Sequence, residues 1–383
     1  MISGILILHR NTTELSFISK MVKEIVVIGA GVIGLLSALA VAEKYLPKDV
    51  HITVVALHLP DDATYSIDYT SPWAGAHFRP APSRSAHEAR EAAWTRVTQT
   101  YLKKLATLAP ESSVEICVGE EYLSAPDRFY KEYAPGWREE MDDWEDLSVE
   151  KAKLKGAVMA VRYKTWVLNP PIYINYLYRK LRQEFSVDFV QATLTSLKQI
   201  YLVVPRVDAV INCLGRGLQY DGGYDPQCFP IRGQTLLVRP PAPFTSNKYT
   251  NLTVTHQDAQ QQWTFCVKRP LNGGVIVGGT KQPFDLYNKP REKDTKDVFD
   301  RASKLFPELM KERPDGSKYF DVMYTNVGFR PAREGGFRLE TEKIGSKSII
   351  HAYGGGGMGY ELSYGVGVEV SEKLADVISH SKF

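Results

Sequence analysis

Two glycine-rich segments carry the clearest chemical signal in the sequence. The first, GAGVIG at 29–34, follows the β-branched run KEIVVI at 23–28 and precedes a long apolar helical stretch. In such a strand, turn and helix, the first glycine permits a tight turn, the second lets a pyrophosphate approach the backbone, and the third lets the helix pack on the strand. With a further β-branched run at 50–56, the spacing predicts a dinucleotide-binding βαβ unit.

The acidic residue that usually ends the second strand of this unit is missing. Leu57 and His58 stand there, and the nearest carboxylates are Asp61 and Asp62 in the following loop. Because that acid binds a ribose hydroxyl in NAD-binding proteins, its absence argues against simple NAD binding. The adenosine ribose is expected to contact the backbone or another side chain.

The second glycine-rich segment lies near the carboxyl end, at 354–359, between the apolar run SIIHAY and a further helical stretch. Glycine tolerates positive φ and close backbone approach, and a helix N-terminus suits a negatively charged group. Upstream, Arg330 in VGFRPAR offers a planar guanidinium for a carboxylate, whereas Arg333 and Arg338 are expected to be structural. No Ser-His-Asp set or paired carboxylates are arranged for acid or base catalysis.

Composition restricts the protein class. A length of 383 residues favours two domains, or one domain with a large insertion, and a hydrophobic content of 44% allows a sizeable core. A net charge of +3 gives no reason to expect nucleic acid or a membrane surface as a partner. No stretch approaches the roughly 20 apolar residues of a membrane span. Four scattered cysteines form no C-x-x-C pair, so neither a metal site nor a disulfide framework is predicted.

Several segments resemble the FAD-dependent D-amino-acid oxidase family, fungal type. TSPWAGAHF at 70–78 resembles its flavin-binding loop, VDAVINCLG at 207–215 its returning strand, and PIRGQT at 230–235 the start of its substrate domain. NVGFRPAR at 326–333 and HAYGGGGMGY at 351–360 are the most specific matches. The resemblance implies hydride transfer from a D-amino acid to FAD, reoxidation by dioxygen to hydrogen peroxide, and hydrolysis of the imino acid to a 2-oxo acid and ammonia.

The resemblance also implies an α/β fold with two domains. A discontinuous Rossmann-like FAD-binding domain is expected from 21–100, 170–225 and 325–383, and an α+β substrate domain with an antiparallel sheet from 101–169 and 226–324. Residues 1–20 are expected to be an N-terminal extension. The terminal Ser381-Lys382-Phe383 is close to a peroxisomal address, which predicts an import receptor as a partner and peroxisomal rather than cytoplasmic location. A homodimer is left open.

Site residues follow from the matching motifs. Arg330 is the expected catalytic residue, because it maps onto the arginine that binds the substrate α-carboxylate. The expected substrate-binding residues are Arg330, Lys281, His77, Arg79, Phe265 and Gly357. The expected cofactor-binding residues are Gly29, Gly31, Val32, Ile33, Gly34, Ser71, Gly75, Ala76, His77, Leu194, Gly215, Gly357, Gly359, Tyr360 and Glu361.

Three positions depart from the family pattern. Phe265 replaces a tyrosine, Lys281 stands where D-aspartate oxidases carry arginine and neutral-substrate relatives often carry tyrosine, and Glu361 replaces a neutral polar residue. Lys281 with His77 and Arg79 would give two or three cations, which favours an acidic substrate such as D-aspartate or D-glutamate. A neutral D-amino acid, with Lys281 and Arg79 in solvent, and a non-enzymatic flavin-binding protein are the alternatives. Glu361 could cap its helix instead.

Overall fold

The computed structural model describes residues 22–45, 49–153, 155–242 and 247–380. The predicted extension at 1–20 and the terminal Ser381-Lys382-Phe383 lie outside these ranges. The peroxisomal address and its import receptor therefore stay predictions. The homodimer also stays a prediction, because the structure contains a single chain.

Six strands form a mostly parallel sheet around the predicted βαβ unit. The strands are β1 (Lys23–Ile28), β2 (Val50–Ala56), β6 (Asp188–Gln191), β7 (Ala209–Asn212), β16 (Arg338–Ile344) and β17 (Lys347–Tyr353). Their order is β16-β17-β7-β1-β2-β6, and the edge pair β16 and β17 is antiparallel. The strands predicted at 23–28 and 50–56 are confirmed, and β1 is buried between β2 and β7, which explains its unbroken apolar sequence.

Four long helices form one group, and they are α1 (Val32–Tyr45), α2 (Ala86–Leu108), α5 (Pro170–Glu184) and α8 (Gly359–His380). In this group, α1 and α8 contact the strands of the sheet, α5 packs on α1, and α2 packs on α8. Helix α1 is apolar on nearly every face, because it contacts α5 and α8 as well as the strands. Helix α2 begins after Ser85, whose hydroxyl accepts a hydrogen bond from the Glu88 backbone N–H.

Two glycines let α8 lie unusually close to its neighbours. A Cβ on Gly365 would lie 2.3 Å from the Trp94 carbonyl oxygen on α2, and one on Gly367 would lie 2.6 Å from the Leu36 carbonyl oxygen on α1. Real Cβ atoms do not approach backbone this closely, so the three-helix contact depends on glycine at both positions. The contact matters for function because α8 begins at the second glycine-rich segment.

A second sheet of nine strands is antiparallel except where β3 lies parallel to β9, and β15 pairs with β8 along its length. Its strands are β3 (Glu115–Leu123), β4 (Glu145–Asp146), β5 (Met159–Val167), β8 (Cys228–Arg239), β9 (Leu252–Gln257), β10 (Trp263–Lys268), β11 (Val275–Gly278), β12 (Gln282–Pro283) and β15 (Asp321–Arg333). The α/β fold with a separate antiparallel sheet is therefore confirmed. The boundary predicted at 325 falls inside β15, because this strand stays paired with β8 up to Arg333.

The remaining elements are short, apart from α7, which packs on the second sheet. They are α3 (Arg128–Lys131), α4 (Val149–Lys153), α6 (Ile200–Val203), α7 (Glu292–Leu305), β13 (Lys311–Glu312) and β14 (Lys318–Tyr319). Within the described ranges, no helix has the length and apolar character of a membrane span.

Gly365→Ala is expected to destabilise the protein by at least about 2 kcal/mol, because the new methyl group would overlap the Trp94 backbone. Alanine by itself favours helix by about 1 kcal/mol, so a net loss isolates the steric effect. Denaturant unfolding would measure the change. The control Glu372→Ala, at an exposed position of the same helix, should shift stability by less than about 0.5 kcal/mol. A Gly365→Ala protein as stable as the parent would contradict the close packing.

Candidate active site

The turn between β1 and α1 has no space for a side chain at Gly29 or Gly34. Gly29 has φ of +106°, and a Cβ there would lie 3.0 Å from the Cys213 carbonyl oxygen on the neighbouring strand end. A Cβ on Gly34 would lie 1.9 Å from the Gly29 carbonyl oxygen. The turn, the strand and the helix therefore meet backbone to backbone, as a pyrophosphate site at a helix N-terminus requires.

Residues 69–71 tie this turn to α8. The Ser71 hydroxyl accepts a hydrogen bond from the Val32 backbone N–H at 3.0 Å, and the Tyr69 hydroxyl donates to the Ala30 carbonyl at 2.6 Å. From α8, the Tyr360 hydroxyl donates to the Ser71 carbonyl at 3.0 Å. The two glycine-rich segments thus share one wall, although they are far apart in sequence.

The predicted flavin loop is held from below by an arginine that the sequence reasoning missed. Arg269, which is 6% exposed, donates to the carbonyl oxygens of Pro72, Ala74 and Gly75 at 2.6–3.1 Å. Burial lowers the pKa of Arg269 to about 10. These hydrogen bonds fix the backbone of the loop after its single short helical turn, Ser71–Trp73. In the sequence, only the position of this arginine in the segment FCVKRP could have indicated the role.

The second glycine-rich segment connects the two sheets. The Gly356 backbone N–H donates to the Pro331 carbonyl on β15 at 2.8 Å, and Ala332 forms an isolated bridge with Gly355. Gly354 has φ of +89° and Gly356 has φ of +54°, conformations that favour glycine. The segment therefore passes directly beside Arg330 before α8 begins.

These parts line one cavity of about 1170 Å³. The predicted site residues that line it are Gly29, Gly31, Val32, Ile33, Ser71, Gly75, Ala76, His77, Arg79, Gly215, Phe265, Lys281, Arg330, Gly357, Gly359, Tyr360 and Glu361. A dinucleotide fits this arrangement, because the cavity extends from the glycine turn to the strands of the second sheet. Several lining residues are glycines at positions where a Cβ would clash with a neighbouring residue. A Cβ on Gly215, for example, would lie 2.8 Å from a Pro331 side-chain carbon.

Two predicted cofactor contacts lie outside the cavity lining. Gly34 is behind the turn, against Gly29, so its role is helix packing. Leu194 packs against the apolar cluster on the other face of the parallel sheet, around Val26 and Ile28. Asp61 and Asp62, the nearest carboxylates to the expected ribose position, are not part of the cavity lining, whereas Leu57 and His58, which stand in place of the usual acid, are.

Arg330 projects from β15 as a half-buried cation without a carboxylate partner among the described residues. Its guanidinium lies over Gly233 on β8, where a Cβ would be 2.5 Å from Nη1, and Nη1 donates to the Thr280 carbonyl at 3.1 Å. Burial lowers the pKa of Arg330, yet guanidinium stays protonated in proteins. Withdrawing a charge from water without an ion pair costs free energy, so an anion bound in the cavity beside Arg330 would be stabilised.

The prediction of two or three cations around the substrate side chain needs correction. Arg79 is paired within the protein, because Nη1 donates to Glu121 Oε1 at 2.7 Å and to the Tyr130 hydroxyl at 3.0 Å. His77 Nδ1 lies 2.9 Å from the Thr253 hydroxyl, and burial together with Arg79 lowers the pKa of His77 to about 3. Neither residue offers a free positive charge to a ligand at neutral pH.

Lys281 differs from these two residues. It lines the cavity on the segment after β11, is exposed, and has no ion pair among the described residues. The exposed Lys293 on α7 lines the same region and was missed from sequence, because nothing in its local pattern distinguishes it from a surface lysine. Phe265 faces the cavity near His77, with 6.5 Å between ring centroids, and supplies no hydroxyl.

Glu361 is buried in the first turn of α8, with 8% of its surface exposed. Its Oε1 accepts a hydrogen bond from the Arg79 backbone N–H at 3.0 Å, from a loop outside its own helix. Burial raises the pKa of Glu361 to about 7, although the Arg79 N–H and the charges of Arg79 and Arg96 act in the opposite direction. A carboxyl that titrates near neutrality on the cavity wall was not predicted from sequence.

Comparison with known proteins agrees with this geometry. Residues 24–373 match the family described as FAD dependent oxidoreductase. A D-aspartate oxidase from Talaromyces thermophilus is 35% identical over 94% of this chain and 96% of its own, and a D-amino-acid oxidase from Schizosaccharomyces pombe is 33% identical over 91% and 94%. Glycine oxidase from Geobacillus kaustophilus has the same fold, with a TM-score of 0.67 at 14% identity over 94% of this chain and 96% of that one.

The chain belongs to the FAD-dependent oxidoreductase family. Its cofactor is FAD, and it is an enzyme of the oxidase group that includes D-aspartate oxidase and D-amino-acid oxidase. The resemblance seen in the sequence motifs is thereby confirmed.

Glu361 gives the stability of the protein a pH dependence with a defined sign. Because the pKa of Glu361 is higher in the folded state, the folded protein binds this proton more tightly than the unfolded chain does. Stability is therefore lost as pH rises from about 5 to about 8, by roughly 2 to 3 kcal/mol. Glu361→Gln should remove this loss, and the exposed control Glu372→Gln should not, as measured by unfolding at both pH values. Equal pH profiles for wild type and Glu361→Gln would contradict the assignment.

Proposed function

We propose that this enzyme catalyses oxidative deamination of D-amino acids, giving a 2-oxo acid, ammonia and hydrogen peroxide. One observation carries the proposal: Arg330, a half-buried cation without a carboxylate partner in the described residues, lines a cavity that also includes the FAD-binding turn. An α-carboxylate is a natural bidentate partner for a guanidinium. The names of the fungal relatives support the D configuration and the reaction.

The protein mainly positions the substrate in this reaction. Bound FAD supplies the electron acceptor for the hydride from substrate Cα, and dioxygen restores it. Arg330 would fix the carboxylate while the Thr280 carbonyl fixes Arg330, and Phe265 would cover the apolar side of the site. Such fixed orientation of the reacting carbon contributes to the rate by itself.

Acidic D-amino acids, D-aspartate and D-glutamate, are the substrates we favour. Lys281 is a cavity-lining cation with no ion pair to any residue that the structure describes, and a second substrate carboxylate would complement it. The similarity to a D-aspartate oxidase supports this choice. Because Lys281 is exposed, the contribution of its charge is expected to be smaller than that of a buried pair, and sensitive to salt.

Neutral D-amino acids are the second candidate. The observation that favours them is the internal neutralisation of Arg79 by Glu121 and the low pKa of His77, which remove two of the three expected positive charges. Comparing D-aspartate with D-alanine in a peroxide assay separates the candidates.

Arg330→Ala is expected to lower kcat/KM for every substrate by about a hundredfold, mostly through KM, because a charge-assisted contact is lost. The visible flavin spectrum should be unchanged, and Arg330→Lys should restore little of the activity, since a point charge does not replace the bidentate group. Arg313→Ala, at an exposed hairpin position, serves as the control. Parent-like kinetics of Arg330→Ala would remove this residue from the site.

Lys281→Met is expected to reduce the preference for D-aspartate over D-alanine by about tenfold, with little change in the D-alanine rate. The effect should shrink as ionic strength rises, because the charge is exposed. Lys296→Met, an exposed change on α7, is the matched control. An unchanged D-aspartate to D-alanine ratio in Lys281→Met would favour the neutral-substrate proposal.

A further inference from the structure

Four carboxyl residues of the described ranges line the cavity, and Glu361 differs from the other three. Asp294 and Asp297 are ion-paired, each 2.8 Å from an arginine, Arg232 and Arg301 respectively. Asp68 is exposed. Glu361 is buried and has no ion pair within the described part of the chain, so it is the carboxyl whose charge a ligand would balance.

Glu361 lies close to the proposed carboxylate site. A Cβ on Gly357 would lie 3.6 Å from Arg330 Cδ, and Glu361 follows Gly357 by four residues at the start of α8. Among the described residues, the cavity lining thus includes a guanidinium without an ion pair and, four residues along the chain from the glycine beside it, a carboxyl without an ion pair. A zwitterionic α-amino acid has the complementary charges, a carboxylate and an ammonium group on the same carbon.

The charged and titratable groups around Glu361 leave one of its carboxyl oxygens available to a substrate ammonium group. The Arg79 backbone N–H binds Oε1, so Oε2 has no hydrogen bond within the described residues, and the Arg79 guanidinium is engaged with Glu121. Arg96, on α2, donates to backbone carbonyls of residues 136–139. Burial raises the pKa of Tyr163 on β5 well above its ordinary value, and the charge of Glu361 acts in the same direction, so this hydroxyl stays neutral.

We propose that Glu361 is a catalytic residue that accepts a proton from the substrate α-ammonium group. The inference rests on the proposed oxidation of an amino acid in this cavity. In the step, one N–H bond of the ammonium breaks and an O–H bond forms on the carboxylate, with no change of oxidation state. The freed lone pair of the amine then forms the C=N bond as the Cα–H bond gives its electron pair to FAD, and the proton later returns to water from Glu361.

The pH dependence of kcat/KM tests this step directly. For wild type, kcat/KM should rise with pH through an acid limb near the pKa of Glu361, about 7, and then reach a plateau. Glu361→Gln should lose this limb and depend on spontaneous loss of the ammonium proton. Its kcat/KM near neutral pH should fall by about a hundredfold and recover roughly tenfold for each pH unit above that.

Flavin content should be measured for every variant, and rates normalised to it. Glu361→Asp retains a carboxylate and should keep an acid limb with a lower rate, and Glu372→Gln on the same helix should match wild type. If Glu361→Gln keeps the wild-type acid limb and rate, the proposal is overturned.

A binding measurement gives a readout independent of turnover. The probe is 2-methyl-D-aspartate, which has no hydrogen on Cα and so cannot be oxidised. Calorimetric titration of the holoenzyme in two buffers of different ionisation enthalpy counts the protons released. At about one pH unit below the pKa of Glu361, wild type should release close to one proton on binding the ammonium, and Glu361→Gln none. At about one pH unit above it, wild type should release almost none.

The two proposals fail in different ways. Wild type that binds neither the probe nor any D-amino acid, and forms no peroxide, contradicts the proposed function. Wild type that oxidises D-amino acids, with equal proton release in wild type and Glu361→Gln, contradicts only the role of Glu361.

Discussion

The positive charge of Arg330, which is partly withdrawn from water, is the constraint around which the site is organised. Removing a guanidinium from water without an ion pair costs several kcal/mol unless other contacts compensate, and the described residues offer Arg330 only the Thr280 carbonyl. The folded protein bears this cost at the point where β15 meets the second glycine-rich segment. A ligand carboxylate is the group that would complete the charge, and it would be held beside the FAD cradle.

Arg79, Arg232 and Arg269 differ from Arg330, because each has internal hydrogen-bond partners. Arg232 is fully buried on β8, and its five donors are all satisfied. They bond to Tyr287 O, Gln282 Oε1, Asp294 Oδ2, Gln234 Oε1 and Lys289 O. This network fixes the segment that follows Lys281, just as Arg269 fixes the flavin loop. The contrast between these satisfied cations and Arg330 identifies which one is available to substrate.

Local sequence was sufficient for the parallel core. The β-branched runs and the glycine turn predicted β1, α1 and β2, because period, turn chemistry and helix packing are properties of neighbouring residues. The place of Arg330 came from the family motif. The pairing of Arg79 with Glu121 could not be predicted, because Glu121 lies on β3, far from Arg79 in sequence. The burial that lowers the pKa of His77 and the burial that raises the pKa of Glu361 could not be predicted either. Desolvation depends on the assembled walls of the cavity, which no local pattern records.

The central claim is that the cavity brings a D-amino acid, bound through Arg330, to the flavin. The most direct measurement mixes the yellow holoenzyme with D-aspartate without oxygen and follows the visible flavin absorption band. The account predicts complete bleaching with D-aspartate, none with L-aspartate, and return of the colour with peroxide when oxygen is admitted. A band that persists with D-aspartate and with every other D-amino acid tried would contradict it.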